Sequence, residues 1–408
     1  MWELISINKR NSVVLMVLMA AVLMALGFAI GIAVLGPDGG LFGLMVAGII
    51  WLVMALVSLS SGDQILLAAS GAKPVTHEVH PQLFNIVEEM KIAAGLPAMP
   101  KIYIINDPAP NAFATGRSPQ SASVAVTAGL LGRLNRDELQ GVIAHEMSHI
   151  LHRDILYVTL AGIMVGSIVL LSDVFLRGML RGSMAGSRRR YSGGGKGGGQ
   201  AQAILFLIAI VAAIVAPIMA YLLYFALSRR REYLADAGSA RLTRYPEGLA
   251  SALEKIANDP APQLASANKV TAPMYIVNPL KGMNRLTMKN LTSTHPPIAE
   301  RIRILRSMAQ GASFKDYSEA FTKVTHSKTP IPDSALTEED VKLRQSQPTA
   351  QPQQPQTQMR NIGDIMRKVN GFAFLSCPCG LNLKIPPNYK AANVRCPRCN
   401  RLLPLTRS

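Results

Sequence analysis

Charged residues are scarce in this chain: Asp, Glu, Lys and Arg make up 16% of its 408 residues, against roughly 25% in an average soluble domain. Cysteine is nearly absent, and its four residues all lie within the last 32 positions, which excludes a small disulfide-stabilised fold. Acidic residues number 25 against 42 basic ones, for a net charge of +17, while 49% of the chain is hydrophobic. That apolar content excludes a disordered chain. The combination indicates a membrane protein with basic segments outside the bilayer.

The apolar residues are concentrated in four uncharged stretches, at 13–35, 41–59, 155–172 and 203–227. The third continues past Asp173 to Leu176. Because about 20 apolar residues suffice for a helix to cross a bilayer, each stretch is predicted to be a transmembrane helix. A cleaved signal peptide is the alternative for the first. Its apolar core is longer than the roughly 7–15 residues of a signal, and a second span follows at once.

Basic residues near the ends of these stretches predict the orientation. Lys9 and Arg10 precede the first stretch, the short loop after it has none, and arginines at 229–231 follow the fourth. Since Lys and Arg mark the cytoplasmic side, both chain ends and segment 60–154 are predicted to be cytoplasmic. Loop 177–200, with six basic residues and no acid, conflicts with this topology. Either the rule fails there, or the third and fourth stretches form a hairpin that does not fully cross.

The chain divides into segments of different composition. In order, these are 1–60 with two membrane helices, 61–154, 155–227 with the membrane hairpin, 228–326, 327–370 and 371–408. Segment 61–154 combines predicted strands at 101–105 and 123–127 with a predicted helix at 135–151, and 228–326 is mainly helical. Segment 327–370 is rich in Pro, Gln, Ser and Thr and has no periodicity, so it is predicted to be a flexible linker.

A histidine pair lies inside the predicted helix, in the sequence His145-Glu146-Met147-Ser148-His149. This spacing puts both imidazoles on one helix face, about 6 Å apart along the axis, where they can bind one zinc ion. Glu146 is turned about 100° away and can accept a proton from water at the metal. The alternative is two surface histidines on an ordinary helix. The lack of a competing histidine cluster favours zinc.

Zinc in a catalytic site needs a third protein ligand and an open position. The best source is Glu232-Tyr233-Leu234-Ala235-Asp236, in which both acids again share one helix face. Glu232 is predicted to bind the metal, and Asp236 to hydrogen-bond the far nitrogen of a ligand histidine. The alternative is an exposed acidic turn that balances the arginines at 229–231.

Four motifs in a fixed order resemble the HtpX family of membrane zinc metalloproteases, which are relatives of the CAAX prenyl proteases. They are NAFATG at 111–116, HEMSHILHRD at 145–154, EYLADAGSARL at 232–242 and STHPPIAERI at 293–302. The resemblance covers about residues 1–325. It implies an α-helical membrane protein with a gluzincin-like α+β metalloprotease domain. It also implies a zinc endopeptidase of prokaryotic inner membranes that degrades damaged or misfolded membrane proteins on the cytoplasmic side under stress.

The resemblance further implies roles for single residues. The matched zinc ligands are His145, His149 and Glu232, the general base is Glu146, and the acid behind a ligand is Asp236. Asn111 is expected to line the substrate cleft, with the strand near 124–127 as an edge for an extended peptide. His295 and Arg301 are expected to stabilise the oxyanion and shape the cleft. A simple helix-start role is the alternative for His295.

The C-terminal segment carries a second metal pattern. Cys377, Cys379, Cys396 and Cys399 form C-x-C followed by C-x-x-C, which predicts a small zinc-ribbon domain with a structural zinc ion; two disulfides are the alternative. The 32 residues from 377 hold six basic residues, no acid and one aromatic residue, Tyr389. Anionic lipid or a protein partner is expected to bind this module, and the lack of aromatics argues against nucleic acid.

The sequence therefore predicts a membrane zinc endopeptidase with one catalytic and one structural zinc ion. Its expected substrates are membrane proteins or unfolded polypeptides. His149 lies shortly before the third stretch and Glu232 shortly after the fourth, so the metal is expected within about 10 Å of the bilayer surface, at about 1.5 Å per residue. Two alternatives are a processing protease for lipid-modified peptides, and a catalytically silent membrane adaptor that acts through the zinc ribbon.

Overall fold

A computed structural model describes residues 2–185, 198–259, 275–276, 296–308, 311–336, 340–344 and 355–405. Its helices are α1 (Trp2–Leu35), α2 (Gly39–Ala69), α3 (Pro81–Ala93), α4 (Ala128–Arg133), α5 (Arg136–Leu151), α6 (Ile155–Ala185), α7 (Gly198–Thr243), α8 (Pro246–Ala257), α9 (Ile298–Arg306), α10 (Phe314–Thr325) and α11 (Pro355–Val369). Its strands are β1 (Ala72–Pro74), β2 (Lys101–Ile105), β3 (Ala112–Thr115), β4 (Ser123–Thr127), β5 (Ala373–Ser376), β6 (Asn382–Ile385), β7 (Asn393–Arg395) and β8 (Leu402–Pro404).

Within these residues, four helical stretches are long and apolar enough to cross a membrane: Ile5–Leu35, Gly39–Ala69, Leu160–Met179 and Ala203–Leu223. They lie in α1, α2, α6 and α7, so all four predicted stretches are helical. The first two pack closely through glycines. A Cβ atom on Gly27 would lie 2.6 Å from the Gly43 carbonyl oxygen, so the two backbones touch in a way that any larger residue would prevent.

A four-stranded sheet has the strand order β1-β2-β4-β3. β2 and β4 are parallel, and the other two pairs are antiparallel. β4 pairs on both sides, so the predicted edge near 124–127 is wrong, and β3 is the edge strand on that side of the sheet. The sequence did not indicate β3 because a strand of four fully buried residues shows no alternation of apolar and polar residues.

Helix α5 runs through the centre of the hydrophobic core, packed against α3, α7 and α8. A capping box fixes its start, since Asn135 accepts a hydrogen bond from the Glu138 amide while the Glu138 carboxylate accepts one from the Asn135 amide. This is the helix predicted at 135–151. The capping box gives a hydrogen-bond partner to two backbone amides that the helix itself leaves without one. It fixes the residue at which α5 begins, and with it the helix face on which both histidines lie.

The predicted flexible linker over 327–370 contains a docked helix. Ile362 of α11 is buried against the main hydrophobic core, directly over Gly132 of α4. The apolar residues of α11 recur at helical spacing, but the preceding Pro- and Gln-rich composition masked them in the sequence. Beyond α11, two hairpins, β5-β6 and β7-β8, carry the cysteines, and Lys384 of β6 forms an ion pair with Asp364 of α11.

Candidate metal and catalytic site

Three predicted ligands from two helices meet at one point. His145 and His149 lie one turn apart on α5, and their Nε2 atoms are 3.2 Å apart. Glu232 of α7 places Oε2 3.6 Å from Nε2 of His145 and Oε1 3.7 Å from Nε2 of His149. Among the described residues, these three form one of two groups whose ligand atoms could hold a metal ion, all within 4.8 Å of one another.

The donor set fits zinc. With metal–ligand bonds of about 2.0–2.1 Å and tetrahedral angles, neighbouring ligand atoms should lie about 3.4 Å apart. The measured separations of 3.2 to 3.7 Å bracket that value. Two imidazoles and one carboxylate make three protein ligands, which is the number that leaves one position open for water or substrate.

A buried ionic chain extends behind the first histidine. Asp236 Oδ1 lies 3.0 Å from His145 Nδ1, as predicted for that acid. Arg301 donates two hydrogen bonds to Asp236 and a third, of 3.1 Å, to the Ile276 carbonyl. Arg301 is fully buried, and its Nη1 also lies 3.6 Å from Oε2 of Glu232. Two acids therefore compensate the desolvation of its guanidinium; that Arg301 lines the substrate cleft stays a prediction.

The second histidine also has an acid behind it, which the sequence analysis did not identify. Asp154, the residue before α6, places Oδ2 2.9 Å from His149 Nδ1. Its side chain is almost fully buried. Asp154 is the last residue of the HEMSHILHRD motif, so the sequence did contain it. Its contact with His149 could not be predicted, because sequence spacing does not show that a residue beyond the end of a helix folds back against a side chain of that helix.

Electrostatics at the site favour a positive charge. Burial alone would lower the pKa of His149, but the nearby charges of Asp154 and Glu232 raise it to about 9. The pKa of Glu146 is raised, chiefly because burial penalises its charged form, while the charges of both histidines oppose the rise. The same acids that favour protonated histidine in the absence of metal would favour a bound dication.

Glu146 also contacts the edge of the sheet, since the Ala114 backbone amide hydrogen-bonds its carboxylate. Asn111 is buried immediately before β3, where its Oδ1 accepts a hydrogen bond from the Ala112 amide. The Ala112 carbonyl in turn accepts one from the Ile276 amide. Edge strand β3 therefore runs beside the metal site. His295 lies outside the described residues.

The four cysteines form the second candidate metal group. The Sγ atoms of Cys377 and Cys399 are 3.4 Å apart, and those of Cys379 and Cys396 are 3.6 Å apart. Disulfide sulfurs lie about 2.05 Å apart, so the structure holds free thiols. Four thiolates around zinc, with bonds of about 2.3 Å, would separate to about 3.8 Å. The cluster is near that geometry.

Comparison with known proteins identifies the family. The profile of peptidase family M48 matches residues 78–309, more than half of the chain. The chain belongs to peptidase family M48. A Protease HtpX homolog of Dictyoglomus thermophilum is 48% identical over 309 residues, which are 76% of this chain and 95% of the relative. A Protease HtpX homolog of Listeria monocytogenes is 42% identical over 76% of this chain and 100% of its own length.

The M48 assignment confirms the predicted resemblance. The protein is an HtpX-type M48 metalloprotease, a hydrolase, and the group of His145, His149 and Glu232 fits the catalytic zinc that M48 enzymes use. Its four apolar helices agree with a membrane protein. The crystal structure of S. mikatae Ste24p is 20% identical, with a TM-score of 0.39 over 75% of this chain and 67% of that one.

Proposed function

We propose that this M48 protease is a zinc-dependent endopeptidase that hydrolyses misfolded or damaged membrane proteins at the cytoplasmic face of a prokaryotic inner membrane, as part of the stress response. The observation that carries the proposal is the convergence of His145, His149 and Glu232 beside buried Glu146. Helix α7, which carries Glu232, contains the fourth apolar stretch, and α5, which carries the other three residues, ends shortly before α6. Zinc, when bound, supplies Lewis acidity that polarises the scissile carbonyl and activates water.

In this mechanism Glu146 is the proton carrier. It accepts a proton from the attacking water and delivers it to the leaving amine. Its pKa, raised by burial, brings it closer to the range in which a carboxylate can both take and return a proton near neutral pH. The hydrogen bond from the Ala114 amide fixes the carboxylate beside β3.

An extended substrate is proposed to pair with the outer edge of β3. In an antiparallel pair, alternate residues direct their backbone groups away from the partner strand; in β3 these are Ala112 and Ala114. Because the Ile276 amide bonds the Ala112 carbonyl and the Ala114 amide bonds Glu146, the proposed pairing begins at the Ala114 carbonyl, next to Glu146. In strand addition the main-chain hydrogen bonds supply affinity, and every polypeptide can form them, which suits a quality-control enzyme.

Substrates embedded in the membrane are favoured by the position of the ligands. α5 ends at Leu151 and α6 begins at Ile155, so the second histidine is adjacent to a membrane helix. On α7, Glu232 lies nine residues after the apolar stretch that ends at Leu223, which is about 13 Å along the helix. We propose that α6 and α7 both cross the bilayer and that their cytoplasmic ends hold the metal close to its surface.

The C-terminal module is proposed to bind the second, structural zinc ion and to dock on anionic lipid. Lys390, Arg395, Arg398 and Arg401 are exposed, and no acid lies between 371 and 405. A basic surface on a membrane protein gains about 1 kcal/mol of binding free energy per charge near an anionic bilayer.

Replacing Lys390 and Arg401 with Gln should reduce proteolytic activity in anionic nanodiscs and leave it unchanged in neutral nanodiscs. If the module binds a protein partner instead, the loss of activity should not depend on the charge of the lipid.

The decisive experiment is proteolysis by the full-length chain, purified with zinc, on an unfolded membrane protein. We expect cleavage that Glu146→Gln abolishes while zinc content is unchanged. Elemental analysis should give two zinc ions per chain, and one after Cys396→Ser/Cys399→Ser. A preference for lipid-modified peptides would identify a processing protease. No cleavage of either substrate by the zinc-loaded enzyme would favour the adaptor.

A further inference from the structure

The turn between the histidine helix and the third membrane span carries a buried acid that has no assigned role. Asp154 is the last residue of this turn, and its Oδ2 lies 2.9 Å from Nδ1 of His149. Its side chain is 2% exposed. The contact joins the turn to the face of His149 that is opposite the metal position.

We infer that Asp154 is a positioning residue for the metal ligand His149. A carboxylate accepts hydrogen bonds and donates none, so this contact requires the proton of neutral His149 to sit on Nδ1. That tautomer leaves the Nε2 lone pair directed at the metal. The inference rests on the zinc site of the proposed function.

The two histidines are then held in the same way. Asp236 lies 3.0 Å from Nδ1 of His145, as Asp154 lies against Nδ1 of His149. The two Nε2 atoms converge to 3.2 Å, close to the spacing of two ligand atoms of one zinc ion. A pair of acids at the two outer nitrogens therefore builds the site before metal arrives.

The turn that carries Asp154 is fixed by backbone contacts and by the first membrane helix. The Asp154 backbone amide donates a hydrogen bond of 3.2 Å to the His149 carbonyl. Arg153 adopts the left-handed conformation with φ of 56°, which is uncommon for a residue other than glycine. Asn8 of α1 donates a buried hydrogen bond of 3.1 Å to the His152 carbonyl. The first membrane helix therefore fixes the turn from which Asp154 reaches the ligand.

A simpler role for Asp154 is to stabilise the start of α6, since a carboxylate is favourable at a helix N-terminus. Two substitutions separate the roles. Asp154→Ser retains a side-chain oxygen that can cap the helix but is too short to reach His149. Asp154→Asn keeps the shape and loses the charge. If Asp154 only caps α6, Asp154→Ser should change zinc affinity little. If Asp154 positions His149, the same substitution should weaken zinc binding strongly.

The test measures metal binding by the full-length chain in detergent. All variants carry Glu146→Gln, which prevents self-cleavage, and Cys396→Ser/Cys399→Ser, which removes the tail site. Zinc affinity is measured by chelator competition, and the ligand field by the visible spectrum of the cobalt-substituted protein. We expect Asp154→Ser to weaken zinc binding by about 10–100-fold and to alter the cobalt spectrum, with a smaller loss for Asp154→Asn. Asn8→Ala should give an intermediate loss.

The matched control is Asp137→Ser, which removes another buried acid near the opposite end of α5, where it pairs with Arg344. Its zinc affinity should stay within about twofold of the parent. Equal affinities for parent, Asp154→Ser and Asp137→Ser would overturn the inference. If Asp154→Ser fails to fold, as judged by thermal unfolding, an unchanged affinity and cobalt spectrum in Asp154→Asn overturns it instead. If the zinc-loaded chain with Glu146 intact shows no proteolysis while Asp154→Ser shows the expected loss of zinc binding, the proposed function alone is refuted.

Discussion

Arg301 donates hydrogen bonds of 2.8 and 2.7 Å to the two carboxylate oxygens of Asp236, and neither side chain is exposed to solvent. Burial alone would raise the pKa of Asp236, but the charge and hydrogen bonds of Arg301 hold it below its ordinary value. Asp236 therefore stays ionised against His145. The ion pair thus connects α9, α7 and the histidine helix.

Removing Arg301 should destabilise the protein and empty the metal site. In Arg301→Met the Asp236 carboxylate is left buried without its partner, which costs about 3–5 kcal/mol. The check is the thermal unfolding midpoint together with zinc content. Arg303→Met, an exposed position on the same helix, should change stability by less than about 0.5 kcal/mol. Equal unfolding midpoints for the two variants would contradict a structural role for the buried pair.

Acid should weaken the fold through His152. Burial lowers the pKa of this histidine to about 4 from its ordinary value of 6.5. Between these values the unfolded chain binds the proton that the folded chain excludes, so this contribution is complete above pH 6.5 and is lost as the pH falls toward 4. The full loss is roughly 3 kcal/mol. The unfolding midpoints at pH 7 and pH 5 should differ more for the wild type than for His152→Gln. The same difference in both proteins would refute the prediction.

The docking of α11 should depend on the absence of a side chain at position 132. A Cβ atom on Gly132 would lie 2.3 Å from Ile362 Cγ1, so Gly132→Ala is expected to cost about 1–3 kcal/mol. Ile362→Ala removes the clashing atom, and the double variant should recover part of the loss. Gly363→Ala, whose nearest atom would be 3.4 Å away, is the control. If the free-energy losses of the two single variants add up to the loss in the double variant, direct contact between positions 132 and 362 is contradicted.

The spacing between the membrane and the metal ligand should matter. Four alanines inserted into α7 between Leu223 and Arg229 would move Glu232 by about 6 Å along the helix axis, away from both histidines. We expect loss of zinc and of proteolysis. The same insertion after Ser327, an exposed position beyond α10, should leave both unchanged. Retained proteolysis in the α7 variant would show that the membrane hairpin does not set the site.

Patterns local in sequence predicted much of the fold. The four spans follow from uncharged stretches long enough to cross a bilayer, and α5 follows from its cap and acidic first turn. Where a pattern depended on distant packing, prediction failed. β3 is too short and too buried to alternate, and the apolar residues of α11 find their partner, α4, only in the folded chain.

The sequence by itself determined the chemistry of both metal groups, because helical spacing brings His145 and His149 to one face and the cysteine spacing suits four thiolates. Only the tertiary structure decided what lies behind those ligands. Asp154 reaches His149 through a turn held by Asn8, and Arg301 lies against both Asp236 and Glu232. The physical reason is that a buried charge must find its partner in space, and chain folding, not sequence separation, decides which partner is near.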